Sequence, residues 1–164
     1  MDKIIICVND VEMHHHARNN HLSIWGVVYI KVNGCAFPDD CWYDCLDMLI
    51  PCWIGEIEAF VRLNKESCAL DFFDGPYRLL LRRIGNTLEI ACIRRRKQSN
   101  EVCMTFFVEL ASFLREITKF CGRVIYYCKS CNPEFQLLPH SKKLYSALNS
   151  ARQYTNNLPR SEEH

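Results

Sequence analysis

Two groups of side chains have the types that ligate metals or carry thiol chemistry. Cys128-Lys129-Ser130-Cys131 is a C-x-x-C pair, and His14-His15-His16 with His21 is a histidine cluster. A structural zinc site closes a tetrahedron of four ligands, so the cysteine pair needs a second pair at comparable spacing, and the chain offers none. As a redox motif the pair should open a helix, where the positive end of the dipole stabilises a thiolate. Here it closes an apolar helical stripe, which is the wrong end. On a strand, His14 and His16 point to one side and His21 could approach across a turn. No carboxylate stands at a fixed offset to complete the set, and three consecutive histidines equally suit a solvated strand end. Cys41, Cys45 and Cys52 fall on one side of a helical reading, where thiols pack as small hydrophobes. Neither a metal nor a cofactor is expected.

Catalytic constellations are equally sparse. The chain has no G-x-S-x-G, no glycine-rich phosphate loop and no H-E-x-x-H, and its six glycines do not cluster. Carboxylate pairs such as Asp39-Asp40 or Glu56 and Glu58 are better explained by helix capping and an exposed acidic face than by acid–base work. The expectation is therefore a protein that is not an enzyme. Arg94-Arg95-Arg96-Lys97 is a basic run, but it lacks the interleaved aromatics of a stacking platform, and the net charge of +1 gives no general affinity for nucleic acid. No apolar stretch approaches membrane-spanning length. The run Ile4 to Val8 is too short for a signal-peptide core and meets Asn9 and Asp10 at once. Eleven cysteines, an odd number, together with no secretory signal imply reduced thiols and a cytoplasmic location.

The elements that must position these residues are organised around Trp25 to Phe60, which holds all three tryptophans. Val28, Ile30 and Val32 alternate with Val27, Tyr29 and Lys31, as in a strand with one buried face. Asn33-Gly34 ends it, because both tolerate positive φ. Phe37-Pro38 leads out, Asp39 or Asp40 caps the next helix, and Trp42, Leu46, Leu49, Trp53, Ile57 and Phe60 form its apolar stripe over roughly residues 40 to 64. Pro51 inside it removes one amide bond, so a kink or two helical segments are expected.

Before this region, Ile4, Ile6 and Val8 mark a first strand that turns near Arg18-Asn19-Asn20 into the second, a long hairpin. After it comes a strand from Ser67 to Phe73, closed by Asp74-Gly75-Pro76. Tyr77 to Arg95 is a second hairpin about Gly85-Asn86. Its register follows: Ile84 opposite Thr87, Arg82 opposite Glu89, Leu80 opposite Ala91, Leu81 opposite Ile90 and Leu79 opposite Cys92. The Leu79, Leu81, Ile90 and Cys92 surface should pack on a helix, leaving the Arg78 and Arg82 surface wet. A short strand at Val102 to Thr105 precedes a second long helix through Phe107, Leu110, Leu114, Ile117 and Cys121. Gly122 ends that helix or sits within it, with Val124 and Cys128 continuing the stripe. A last helix runs from about His140 to Tyr154. The sum is a single α+β domain over residues 1–155. About five to six strands form an antiparallel sheet, packed on one face by two long helices and a C-terminal helix, with a polar tail at 156–164.

The string V-Y-I-K-V-N-G-C-A-F-P-D-D-C-W-Y-D, followed by an apolar helix with Trp53 and by F-F-D-G-P-Y-R-L-L-L-R-R, resembles small bacterial immunity proteins. These are encoded beside polymorphic toxins, including those of contact-dependent inhibition. The resemblance covers about residues 25 to 95, and its motifs are fold-determining. It implies a protein that binds one cognate toxin domain and blocks its active site or substrate entry, as a monomer or weak homodimer. Charge is segregated: Asp39 to Glu66 holds seven acidic and two basic residues, Arg78 to Lys97 seven basic and one acidic. Complementary charge steers association, so the expected contacts are the outer face of the first helix, Asp40, Asp44, Asp47 and Glu58, with Asp39 at its entrance. Arg94, Arg95, Arg96 and Lys97 come second. The competing readings are a thiol or metal protein built on Cys128, Cys131 and the histidines, and a small-ligand binding module.

Overall fold

The computed structural model describes residues 1–19, 21–139 and 141–157; the expected tail lies outside them from residue 158 on. The architecture is α+β. Eight strands appear among the described residues, divided between two antiparallel sheets of four rather than gathered as five or six in one. In the first sheet, β1 (Ile4–His16) and β2 (His21–Val32) form the long hairpin, and β3 (Cys35–Phe37) and β4 (Tyr43–Cys45) both pair with β2. The second sheet has the order β5 (Ser67–Asp71), β6 (Tyr77–Ile84), β7 (Thr87–Arg94) and β8 (Glu101–Glu109). The helices are α1 (Leu46–Arg62), α2 (Leu110–Cys131) and α3 (Ser141–Asn156), with a 3-10 turn at Phe135–Leu137 before α3.

Both hairpins have the anticipated form. Val28, Ile30 and Val32 are buried, and every expected β6–β7 pair, from Ile84 with Thr87 to Leu79 with Cys92, is present. Leu79, Leu81, Ile90 and Cys92 are fully buried in the common core. The β1 strand bulges between Asn9 and Glu12, opposite Gly26. A Cβ at Gly26 would lie 3.2 Å from the Asn9 carbonyl and 3.0 Å from Leu46, so the absent side chain admits both the bulge and the start of α1.

The first helix differs from its expected boundaries. It begins at Leu46, capped by Cys45 without a side-chain bond, so neither Asp39 nor Asp40 caps it. Trp42 fits the helical spacing but precedes the helix, because Tyr43 to Cys45 first pair with β2. From Leu46 on the stripe holds: Leu46, Leu49, Trp53, Ile57 and Phe60 are buried. The helix runs through Pro51 as one element. The strand before α2 is also longer than expected. It takes in Phe107, which is exposed on β8 rather than buried on the helix, and α2 starts at Leu110 and passes through Gly122.

An aromatic series ties the two sheets to the helices. Trp42 meets the edge of Tyr77 at 4.9 Å, Tyr77 meets Phe37, Phe37 meets Phe72, and Phe72 meets Trp53, which reaches Phe120. Edge-to-face rings of this kind add to the burial of their large apolar areas. Gly75 lies directly under Trp42, where a Cβ would come within 2.6 Å of the indole. On the far side of β1, α2 closes the strand edge. Glu116 accepts the Ile6 N–H at 3.2 Å, and Arg123 donates both to the Ile6 carbonyl and to Glu116, so both backbone groups of buried Ile6 on this edge are paired.

Candidate functional site

With α1 and α2 packed on the inner side, the outer face of the first sheet is open. Strand parity places Ile5, Cys7 and Asn9 of β1 there, with Val27, Tyr29 and Lys31 of β2 across from them. Trp25 continues the row and stacks on Tyr43 of β4, their rings 5.7 Å apart and 19° from parallel. The Tyr43 hydroxyl donates to Glu12 at 3.0 Å, and the His14 ring nitrogen lies 3.3 Å from the same carboxylate. The Cys7 thiol across from it, then burial and the nearby Asp40 carboxylate raise the pKa of Tyr29. Trp25, Tyr29 and Tyr43 are all half-buried rather than covered.

Asp39 and Asp40 stand at the rim of this face, exposed, in the turn that joins β3 to β4. Asp39 accepts the Cys41 N–H at 2.9 Å and Asp40 receives the Cys41 thiol at 3.5 Å. Among the described residues, neither has a cationic partner. Lys31, two residues along β2 from Tyr29, is an exposed cation on the same face and pairs in register with Ala36. The result is a strip of aromatic rings on a sheet face with unneutralised carboxylates in the turn along its β3–β4 edge.

The remaining acidic positions separate from this strip. Asp44 is not on an outer helical face. It is fully buried, accepting the Trp42 indole N–H at 3.1 Å, the Cys45 N–H at 2.7 Å and the Phe73 N–H at 2.9 Å. Burial pushes its carboxyl up, and the donors from Trp42, Cys45, Asp74 and Phe73 pull it partly back. Asp47 faces inward as well, accepting the Ile24 N–H of β2 at 2.9 Å and the Cys45 thiol at 3.1 Å. These two acids hold the β3–β4 connection against β2 and the Phe73 loop. Glu58 lies elsewhere, on an open groove of about 430 Å³ between α1 and α3, across from Lys142 and Lys143.

The basic run is less available than its sequence implies. Arg94 lies over the Tyr77 ring at 5.9 Å, Arg95 is 4.0 Å from Asp71, and Arg96 donates to Glu101 at 2.8 Å. Lys97 is exposed in the connection beyond β7. The thiols divide as well, and of Cys41, Cys45 and Cys52, expected to pack together, only Cys45 is buried. Cys45, Cys68, Cys92, Cys121 and Cys128 are buried, with burial pushing each up to about 12. Cys35, Cys41, Cys52, Cys103 and Cys131 are exposed. The C-x-x-C pair thus has one inaccessible thiol and one solvent-facing thiol at the end of α2. His16 and His21 stack at 5.9 Å, with His16 bonded to Ser23 at 3.0 Å. Among the described residues, no three His, Cys, Asp or Glu side chains converge as metal ligands.

No protein-family model, curated protein or solved structure matches the chain. The site is therefore argued from its own residues. Trp25, Tyr29, Tyr43 and Glu12 are absent from the sequence-derived contacts. The signal for two of them was present, because the strand parity that buries Val28 and Ile30 necessarily sends Trp25 and Tyr29 outward. Tyr43 could not be placed this way, because the helical reading absorbed it.

Proposed function

We propose that this chain is an immunity-type binding protein, and that the outer face of the first sheet engages a basic surface of its cognate toxin domain. One observation carries the reading: three half-buried aromatic rings lie on an open sheet face beside Asp39 and Asp40, which have no cationic partner among the described residues. Trp and Tyr dominate binding hot spots because they bury a large, rigid area at low entropic cost. Unpaired rim carboxylates add attraction for a cationic partner and speed its approach. Occlusion of a toxin's active site by such a face needs no chemistry from the binder, and a nuclease-like or otherwise cationic cleft has the complementary charge. The resemblance of residues 25–95 to immunity proteins rests on the motif quoted above, and part of this face lies within that motif: the end of β2 from Val28 to Val32, the turn with Asp39 and Asp40, and Tyr43.

The test is co-expression of this chain with the toxic C-terminal domain encoded beside it, followed by calorimetric titration of the purified pair. Growth rescue and binding by the wild type, with both lost for Trp25→Ala, is the expected result. A neighbouring toxic domain that kills equally with and without this chain contradicts the proposal.

A further inference from the structure

The bulge in β1 decides which carboxylate reaches the outer face of the first sheet. Ile4, Ile6 and Val8 point into the core, and unbroken alternation would send Glu12 inward after them. Asp10, with φ at 49°, and Val11 together face Gly26 alone, so the parity of the strand reverses beyond them. Met13 packs on the core instead, and Glu12 emerges opposite Trp25 on the aromatic side. Directly paired residues on antiparallel strands have Cβ atoms about 5 Å apart, so the carboxylate and the indole are immediate neighbours. Tyr43 completes the set: its ring stacks on Trp25 at 5.7 Å, and its hydroxyl donates to Glu12 Oε2 at 3.0 Å. His14 Nε2 lies 3.3 Å from the same oxygen. Among the described residues, Glu12 Oε1 has no partner and no lysine or arginine pairs with this carboxylate.

We infer that Glu12, Trp25 and Tyr43 form a subsite for an arginine side chain of the partner. The inference rests on the proposed engagement of a basic surface, and it names the group which that surface contributes. A guanidinium is flat and weakly hydrated, so it can lay its face on an aromatic ring while its N–H fork meets a carboxylate. Here the open part of the half-buried indole supplies the ring and Glu12 the acceptor. The Tyr43 hydroxyl orients that carboxylate, and as a neutral donor it leaves the negative charge in place. An ammonium has no face to stack and is more strongly hydrated, which makes lysine the poorer fit. The outer face of the second sheet offers no such set. There the Arg78–Asp71 and Arg82–Glu89 pairs separate exposed Leu80, Ile84, Val102 and Phe107.

The test needs no toxin: an acetylated, amidated Gly-Arg-Gly tripeptide is titrated into the full chain at low salt and followed by the tryptophan indole N–H resonances. Trp42 and Trp53 are internal controls, because their indoles are tied to Asp44 and to the Asp71 carbonyl, whereas the Trp25 indole N–H has no acceptor among the described residues. The Trp25 resonance should move with a dissociation constant of about 1–10 mM, as one side chain on an open face gives, while the other two stay in place. The matching lysine peptide should bind more weakly, and the neutral citrulline peptide should not bind up to about 50 mM. Glu12→Gln, at an exposed position and checked for a native circular dichroism spectrum, should weaken the arginine peptide at least about 10-fold. Leu80→Glu on the second sheet should bind it as the wild type does. Absent binding, equal binding of the citrulline or lysine peptide, or unchanged binding in Glu12→Gln overturns the inference, whatever growth rescue shows. Arginine binding as expected, in a chain that gives no growth rescue, contradicts the immunity reading alone.

Discussion

The two outer sheet faces are made from the same kind of antiparallel ladder, yet they treat charge and ring area in opposite ways. On the first, Trp25, Tyr29 and Tyr43 lie beside Asp39 and Asp40, whose charges are left unpaired among the described residues. On the second, Leu80, Ile84, Val102 and Phe107 lie among arginines that are already bound to Asp71 and Glu89. An exposed charge kept without a partner is retained attraction for something else, whereas a charge neutralised in its own sheet adds little beyond solubility. The difference teaches that charge counts along a sequence do not locate a binding surface. The basic stretch Arg94 to Arg96 is dense but internally spent, while two consecutive aspartates at a turn are not.

The largest effect in breaking this contrast should come from beneath the first face. Asp44 satisfies three N–H donors and so fixes the turn that presents Asp39, Asp40 and Tyr43. Asp44→Ala orphans those donors and should cost about 3–4 kcal/mol of unfolding free energy, read by urea denaturation, given about 1–3 kcal/mol for each unsatisfied buried group and partial rescue by water. Next comes Trp25→Ala, which should weaken partner binding about 100-fold by calorimetry while changing stability far less than Asp44→Ala does. Reversing both Asp39 and Asp40 to Lys should slow association with a cationic partner about 10-fold at low salt, with the difference fading above about 0.5 M salt. An association rate indifferent to those two charges would remove the rim from the comparison.

Smaller effects sharpen it. Arg82 is exposed, so breaking its pair with Glu89 by Arg82→Ala should change stability by less than about 1 kcal/mol in thermal melts. Asp44 also gives a pH signature. Its folded pKa is raised by burial, so the carboxyl is best tolerated when protonated. Relative to Asp44→Asn, wild-type stability should fall as pH rises from the ordinary carboxylate range through the raised pKa and then level off. A wild-type advantage that grows over the same interval would reverse the assigned sign.

Much of the fold was legible because it is local. A two-residue turn at Gly85-Asn86 fixes the register of β6 and β7, and a buried alternation fixes β2. What was not legible depends on distant partners. Trp42 with Leu46, and Asp40 with Asp44, are spaced as on a helix, and only the pairing of Tyr43 to Cys45 with Val27 to Trp25 draws that segment into a strand and delays the helix to Leu46. Likewise Phe107 matches the stripe of α2, but its pairing with Glu89 keeps it on β8. The division into two sheets is a fact of pairing at long range, with no local signature. The candidate face was half visible: Asp39 and Asp40 were found by charge, whereas Asp44 looked equivalent to them and is structural, because burial decides the role of a carboxylate and composition does not reveal burial.

The most direct measurement is the affinity of Trp25→Ala and Leu80→Glu for the cognate toxin domain, taken side by side by calorimetry on folded protein. The account predicts loss of about two orders of magnitude for Trp25→Ala and no change for Leu80→Glu. Full affinity in Trp25→Ala with binding lost in Leu80→Glu would contradict it.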